Sequence, residues 1–291
     1  MREIRQHTVS VDDGAQIHVF ESGQSGGQQV LLAHAAGFHA RCWDKVIEQL
    51  PATWQVFALD LRGHGRSSKQ PPYEWSRFAQ DVLCVARHFN LQRVIGVGHS
   101  LGGHCIAHVS ALAPDLFTRL VLIDPVIFAP EKYHEPSAWS PDQVADHPVA
   151  RRRGQFASWQ AMYERFVDRA PYSLWRPEIL QDYCQFGVLP SADGPTVELA
   201  CPPAVEAAVY ITNFDTDIYP LLGDIAQPVM LLRAKPRDEN AVEMDFSSSP
   251  TWPELAGVFQ QATDVSLPEL THFIPMQAPE LVAGYIAQDG A

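Results

Sequence analysis

The stretch VIGVGHSLGGHC, residues 94–105, decides the fold of this chain. It opens with Val94–Val97, a short apolar run typical of a strand that is buried on both faces. The next five residues, GHSLG, place a glycine two positions to either side of Ser100, and a helical segment, Leu101–Leu112, follows. A G-x-S-x-G sequence between a strand and a helix predicts a sharp turn with the serine at its tip.

The predicted turn determines where the Ser100 hydroxyl lies and which groups surround it. We expect its hydroxyl at the carboxyl edge of a sheet, beside a helix amino terminus whose free N–H groups can stabilise an oxyanion. Glycine is needed at both flanking positions because a side chain there would collide with neighbouring backbone. A glycine-rich turn with an incidental serine is the alternative, but the strand before and the helix after favour a nucleophile.

Strand-like and helical segments alternate outward from the turn. Two short runs, His7–Val11 and Gln16–Phe20, flank a turn signal and predict an antiparallel hairpin at a sheet edge. Further strands are predicted at 30–33, 56–59, 94–97, 120–123, 229–232 and 263–267, and helices at 75–89, 101–112, 253–259 and 279–286. Strand followed by helix, repeated, indicates an α/β fold with a mostly parallel, doubly wound sheet.

The middle of the chain departs from this alternation. From 126 to 226, strand-like runs are few, while aromatic residues and prolines are frequent. A structureless loop of that length is improbable in a compact domain. We therefore expect residues 126–226 to form a mostly helical cap, with helices around 154–168, 177–186 and 203–210, on a core made of residues 1–125 and 227–291.

Composition limits the partners and the compartment. The chain is 46% apolar and 19% charged, as expected for a folded globular protein. Its formal net charge of −13 would repel nucleic acid and anionic membrane surfaces, so neither is expected as a partner. No signal peptide or membrane span is visible. The five cysteines include no C-x-x-C pair, which favours reduced thiols in a cytoplasmic protein. The expected oligomeric state is a monomer or homodimer.

Three further segments carry a family resemblance. DLRGHGRS at 60–67 resembles a D-x-R-G-x-G-x-S loop, and HAAGF at 34–38 resembles an H-G-x-G or H-G-x-P oxyanion segment, with Ala35 in place of the usual glycine. LTHF at 270–273, followed by QAPE at 277–280, resembles a G-H-F and P-E segment. Together with the turn at Ser100, these motifs resemble those of the alpha/beta-hydrolase superfamily.

The resemblance implies roles for particular residues. Ser100 is the expected nucleophile and His272 the expected general base, since a serine hydroxyl needs a base and imidazole titrates near neutral pH. The backbone N–H groups of Leu101 and Ala36 are the expected oxyanion hole. The resemblance implies no cofactor and no metal ion.

The acid of the triad has two candidates. In the family the carboxylate usually lies just beyond the strand that corresponds to 229–232, where Asp238 is the first acidic residue, and we favour Asp238 for this reason. The usual G-x-x-D spacing is not reproduced, because Ala234 stands for the glycine and Asp238 falls one position late. Asp124, at the end of the preceding strand, is the alternative, since some members carry their acid there.

Two other groups of residues have competing interpretations. His99, His104 and His108 could suggest a metal site, but no acidic or cysteine partner stands at ligand spacing, so structural histidines are favoured. The basic run Arg151–Arg153 is expected to be a solvated helix start, with a phosphate clamp as the alternative.

The expected activity is hydrolysis of a carboxylic ester or lactone of a small molecule, that is, a carboxylesterase or lactonase, through an acyl-enzyme. Carbon–carbon bond hydrolysis of a diketone-like substrate and cofactor-free perhydrolysis are alternatives that use the same triad. A non-catalytic receptor for a small ligand on the same fold is an alternative from another class, because a fold does not fix a function.

Overall fold

A computed structural model describes residues 2–135, 138–237 and 246–288. Within these residues the strands are β1 (Ile4–Ser10), β2 (Gln16–Gly23), β3 (Gln29–Ala33), β4 (Gln55–Leu59), β5 (Val94–His99), β6 (Phe117–Ile123), β7 (Gln155–Phe156), β8 (Val188–Pro190), β9 (Val197–Leu199), β10 (Val229–Arg233) and β11 (Ala262–Ser266). The α-helices are α1 (Asp44–Gln49), α2 (Trp75–His88), α3 (Leu101–Leu112), α4 (Trp159–Phe166), α5 (Pro177–Phe186), α6 (Pro203–Ile211), α7 (Tyr219–Leu222), α8 (Ile274–Gln277) and α9 (Pro279–Ala287).

The main sheet has eight strands in the order β1-β2-β4-β3-β5-β6-β10-β11. Strand β2 runs antiparallel to β1 and β4, while β4, β3, β5, β6, β10 and β11 run parallel to one another. Because the strand order reverses after β4, helices cover both faces of the sheet. The predicted α/β fold and the predicted hairpin are confirmed.

The central strands are apolar throughout because each face of the sheet packs against helices. In β3, Leu31 belongs to a core shared with α2 and α3, whereas Val30 and Leu32 belong to a second core shared with α1 and α9. All the residues of β4 and β5 are buried. This two-sided burial fixes the parallel strands in register, so that their carboxyl ends meet at one edge.

The prediction of a helix at 253–259 was wrong. Only one turn of 3-10 helix forms there, at Leu255–Val258. Pro253 lies before this turn and Gly257 within it, and glycine is unfavourable in a helix interior.

The insertion, residues 126–226, joins β6 to β10. Its helices α4, α5 and α6 fall within or close to the three ranges expected, and turns of 3-10 helix precede α4. The insertion also contains a three-stranded antiparallel sheet, β7-β9-β8, that the sequence did not predict. These strands are two or three residues long, too short for an alternating pattern to be recognised.

A separate apolar cluster fixes the insertion over the carboxyl edge of the main sheet. Trp175 and Tyr183 of the insertion pack against Phe38 and Phe273 of the core. The ring centroid of Phe38 lies 5.5 Å from that of Trp175 and 5.2 Å from that of Tyr183, and the rings of Trp175 and Phe273 are 5.1 Å apart. Along the described ranges, no helix is both long enough and apolar enough to span a bilayer.

An ion pair is buried beneath the loop at 60–67. The guanidinium of Arg62 is fully buried and donates two hydrogen bonds to Asp81 of α2, with N–O distances of 2.7 and 2.9 Å. Its Nη1 lies 2.9 Å from Asp13 in the turn between β1 and β2. Arg62 therefore joins the edge hairpin to α2, the helix that connects β4 to β5.

We expect Asp81→Ala to lower the free energy of unfolding by about 3–5 kcal/mol, because it leaves a buried guanidinium without its main counter-charge. Urea unfolding followed by circular dichroism measures this loss. The matched control is Glu280→Ala, which removes one of the two acidic partners of the half-exposed Arg176 and should cost less than about 1 kcal/mol. Equal losses in the two variants would contradict the structural role of the buried pair.

Candidate active site

The turn after β5 holds Ser100 in a strained backbone conformation. Its φ is 57° and its ψ is −120°, a region that residues other than glycine rarely adopt. A Cβ atom on Gly98 would lie 2.2 Å from the carbonyl oxygen of Gly102, and one on Gly102 would lie 2.1 Å from that of Ala33. Both glycines are required because backbone passes directly over them, as the G-x-S-x-G pattern predicted.

Three side chains from separate parts of the chain form a hydrogen-bonded line. The Ser100 hydroxyl lies 3.0 Å from Nε2 of His272, and Nδ1 of His272 lies 2.7 Å from Oδ2 of Asp124. All three residues are buried, at 6%, 3% and 0% exposure respectively, so water competes little for these bonds. Since a carboxylate only accepts, Nδ1 carries the proton and Nε2 is free to accept from the serine.

Asp124 is held by the strand beside it. Its Oδ1 accepts hydrogen bonds from the backbone N–H of Ala234, at 3.0 Å, and from the Ser249 hydroxyl, while its own N–H donates to Leu232 at 2.7 Å. These bonds direct the second carboxylate oxygen, Oδ2, at His272. Asp238, the acid that the sequence favoured, lies outside the described residues.

His99 positions the backbone of His272. Its Nε2 donates to the carbonyl oxygen of His272 at 2.7 Å. Burial lowers the pKa of His99 well below its usual value, so this ring is a neutral donor. The sequence favoured a structural role for His99 over metal binding but could not identify its partner, because nothing in the local pattern shows that residue 272 lies above it.

The oxyanion segment is fixed by the loop at 60–67. The backbone N–H of Gly37 donates to Nε2 of His64 at 3.0 Å, and Nδ1 of His64 lies 2.8 Å from the carbonyl of Arg62. Burial lowers the pKa of His64 to about 3, which keeps the ring neutral and able to accept. Ala36 lines the cavity that contains Ser100, and Leu101 is the first residue of α3, so its N–H has no partner within the helix.

The three histidines near the turn do not converge. The rings of His104 and His108 are 6.2 Å apart, and Nδ1 of His104 lies 3.3 Å from the carbonyl of Val126. Among the residues with described positions, no three histidine, cysteine, aspartate or glutamate side chains are grouped as a metal site would require. All five cysteines are free thiols.

A cavity of about 630 Å³ lies over Ser100 and His272, within the range of about 300–1,000 Å³ usual for small-molecule sites. Its wall combines core residues with residues of the insertion, and much of it is aromatic. The aromatic members are Trp75, Phe128, Trp139, Tyr210, Phe214, Phe246 and Trp252. Phe246 stacks on the imidazole of His272, with centroids 6.0 Å apart.

Known proteins resemble this chain in sequence and in fold. A sequence model described as "Alpha/beta hydrolase family" matches residues 30–284. The chain is 34% identical over 111 residues to Lipase LipV of Mycobacterium tuberculosis, covering 38% of this chain and 42% of that protein. It is 27% identical over 267 residues to the type I acyl-CoA thioesterase mpaH' of Penicillium brevicompactum, covering 78% and 61%.

The solved structures extend the likeness over nearly the whole chain. A thermophilic esterase from Thermogutta terrifontis, 22% identical, superposes with a TM-score of 0.69 over 97% of this chain and 96% of that one. At this identity the likeness concerns the fold. The chain spans less than two thirds of the length of the curated relatives named above.

We expect Gly102→Ala to unfold or rearrange the turn, with a loss of more than about 2 kcal/mol of unfolding free energy, because the added carbon has only backbone to meet. The matched control is Gly284→Ala in α9, where a Cβ meets nothing within 4 Å. That substitution should stabilise the protein by about 0.5–1 kcal/mol, since alanine favours helix. Denaturant unfolding of both variants tests the contrast, and a Gly102→Ala protein as stable as the parent would refute it.

Proposed function

This chain belongs to the alpha/beta hydrolase family, and we propose that it hydrolyses a carboxylic ester or lactone of a small molecule, with Ser100 as the nucleophile. The observation that carries the proposal is the buried line of hydrogen bonds from Ser100 through His272 to Asp124. Relatives named as a lipase and a thioesterase support acyl transfer as the type of chemistry.

The first half of the proposed reaction forms an acyl-enzyme. Ser100 Oγ attacks the carbonyl carbon while His272 Nε2 takes its proton, and Asp124 stabilises the imidazolium that results. Collapse of the tetrahedral intermediate breaks the bond to the leaving oxygen, which receives the proton from His272. Water then attacks the acyl-enzyme with His272 again as base, and the acid is released as Ser100 regains its proton.

The negative oxygen of each tetrahedral intermediate needs donors that are already in place. We assign this role to the backbone N–H groups of Leu101 and Ala36. One such donor is worth on the order of 3 kcal/mol of transition-state stabilisation. The hydrogen bond from Gly37 to His64 supports this assignment, because it holds the segment that carries Ala36.

The insertion is proposed to act as a cap that selects the substrate. It begins two residues after Asp124, and Phe128, Tyr210 and Phe214 bring its aromatic rings into the cavity over Ser100. Burial of an apolar acyl or alcohol group against these rings would supply binding energy. A cavity of this size and character fits a small apolar ester better than a polymer.

Ser100→Ala should abolish hydrolysis of p-nitrophenyl acetate while leaving the fold intact, because it removes only the attacking oxygen. We expect the rate to fall by several orders of magnitude, measured by release of p-nitrophenol, with labelling by a fluorophosphonate probe lost as well. The exposed Ser173→Ala is the matched control and should keep full activity. A Ser100→Ala protein with more than about 1% of parent activity would exclude the serine mechanism.

The same measurement separates an enzyme from a receptor. A parent protein whose Ser100 labels, but which turns over no member of a panel of esters and lactones of graded chain length, would favour a ligand-binding role over hydrolysis. Turnover of a diketone or a peracid-forming reaction in place of the esters would reassign the activity while keeping the triad.

Asp124→Asn should lower kcat about 10³- to 10⁴-fold, because the amide favours the wrong tautomer of His272 and cannot stabilise its imidazolium. Asp238→Asn is the comparison and should leave kcat within a few-fold of the parent. Both variants are assayed on the same ester under saturating conditions. Collapse of activity in Asp238→Asn with near-normal turnover in Asp124→Asn would transfer the role of the acid to Asp238.

A further inference from the structure

A cleft of about 240 Å³ in the insertion concentrates positive charge. It is lined by Arg152 and Arg153 from the segment before β7, by Arg165 near the end of α4, and by Arg169 in the turn that follows α4. None of the described residues that line it is acidic. This is unusual in a chain whose net charge is −13, and we propose that the cleft binds the pyrophosphate group of a small molecule.

The arginines are largely free to bind a ligand. Arg165 and Arg169 are exposed, and in the described ranges neither side chain makes an ion pair or hydrogen bond. Arg153 donates Nε to the carbonyl of Gln155 at 2.7 Å, and its guanidinium lies 4.8 Å from the ring centroid of Phe156. Three of the four charges, those of Arg153, Arg165 and Arg169, have no acidic partner among the described residues, and a polyanion in the cleft would offset their mutual repulsion.

Arg152 gives the cleft a fixed base. Its guanidinium pairs with the buried Glu206, yet its Nε is buried without a hydrogen-bond partner among the described residues. The Arg152 side chain as a whole is 28% exposed, so the guanidinium is held by Glu206 while part of it still lines the cleft. Guanidinium groups also match phosphate oxygens in pairs, which a lysine cluster would not do.

The apolar part of the cleft indicates that the anion belongs to a larger molecule. Phe166 and Tyr172 stack with centroids 4.4 Å apart and an interplanar angle of 9°, and Phe156 packs edge-on against Phe166. Such a wall favours a ligand with a planar apolar group next to its phosphates. The volume is small for a complete cofactor and suits a pyrophosphate inside the cleft, with the rest of the ligand lying along the aromatic wall at its opening.

A second surface cleft provides a contrast. It is larger, at about 500 Å³, and is lined by Arg87 and Arg93, but Asp115 lies among its lining residues. Its positive charge is therefore partly compensated. Substituting Arg87 and Arg93 removes two positive charges from the protein without changing the arginine cleft of the insertion, so this cleft supplies the control variant.

Isothermal titration calorimetry of the full chain with inorganic pyrophosphate and with ADP, at low ionic strength, tests the proposal. We expect one site per chain for both, with ADP at least tenfold tighter because its ring can contact the aromatic wall. Affinity should fall as NaCl is raised, as for any partly exposed charge contact. Failure of both anions to bind overturns the proposal, and equal affinities overturn the assignment to a larger molecule.

The double variant Arg165→Gln/Arg169→Gln should weaken ADP binding at least tenfold, while Arg87→Gln/Arg93→Gln should change it less than twofold. Arg152 is left intact because its removal would strand Glu206. Equal weakening in both double variants would show a general charge effect and contradict a site. Ser100→Ala should bind ADP as the parent does, so that this proposal and the proposed hydrolase activity fail independently.

Discussion

The close approach of backbone at Gly98 and Gly102 is the constraint on which the site depends. Strand β5 is buried on both faces and α3 begins directly after it. The backbone at Gly102 therefore packs against the carbonyl of Ala33 at the end of β3, and the backbone at Gly98 packs against that of Gly102. Only glycine permits backbone at that distance. The strain at Ser100 is held in place by this packing, since the Ser100 N–H also donates to Ile123 of the neighbouring strand at 3.0 Å.

The parallel register of the strands also fixes the position of Asp124 relative to Ser100. Because β5, β6 and β10 are neighbours, Ser100 and Asp124 leave adjacent strands at the same edge, and Ala234 leaves the next one. Asp124 uses one carboxylate oxygen to join the ends of β6 and β10 and the other to hold His272. The carboxylate therefore links the sheet geometry to the orientation of the His272 imidazole, and the same strand end starts the insertion.

Local pattern was sufficient for the strands of the main sheet, for most of the helices, and for Ser100 and His272, although it predicted a helix at 253–259 that does not form and missed the small sheet of the insertion. The apolar runs, the glycine spacing and the motif around His272 depend on neighbours in sequence, and the structure places all of these as expected. The choice between Asp124 and Asp238 depends on which strand end faces His272, a tertiary relation that spacing after Ala234 cannot decide. The partners of His64 and His99 were missed for the same reason, because they lie 27 and 173 residues away.

Charge in this protein is arranged locally, not spread evenly. Glu206 lies against the oxyanion segment, where a Cβ atom on Gly37 would come within 2.4 Å of its Oε1, and burial raises the pKa of Glu206 above its usual value. Arg152 supplies the opposing charge and at the same time forms the base of the arginine cleft. A buried carboxylate beside the expected oxyanion hole would oppose a developing negative charge. Its pairing with Arg152 reduces that opposition, so the arginine both neutralises a buried carboxylate and screens this edge of the sheet.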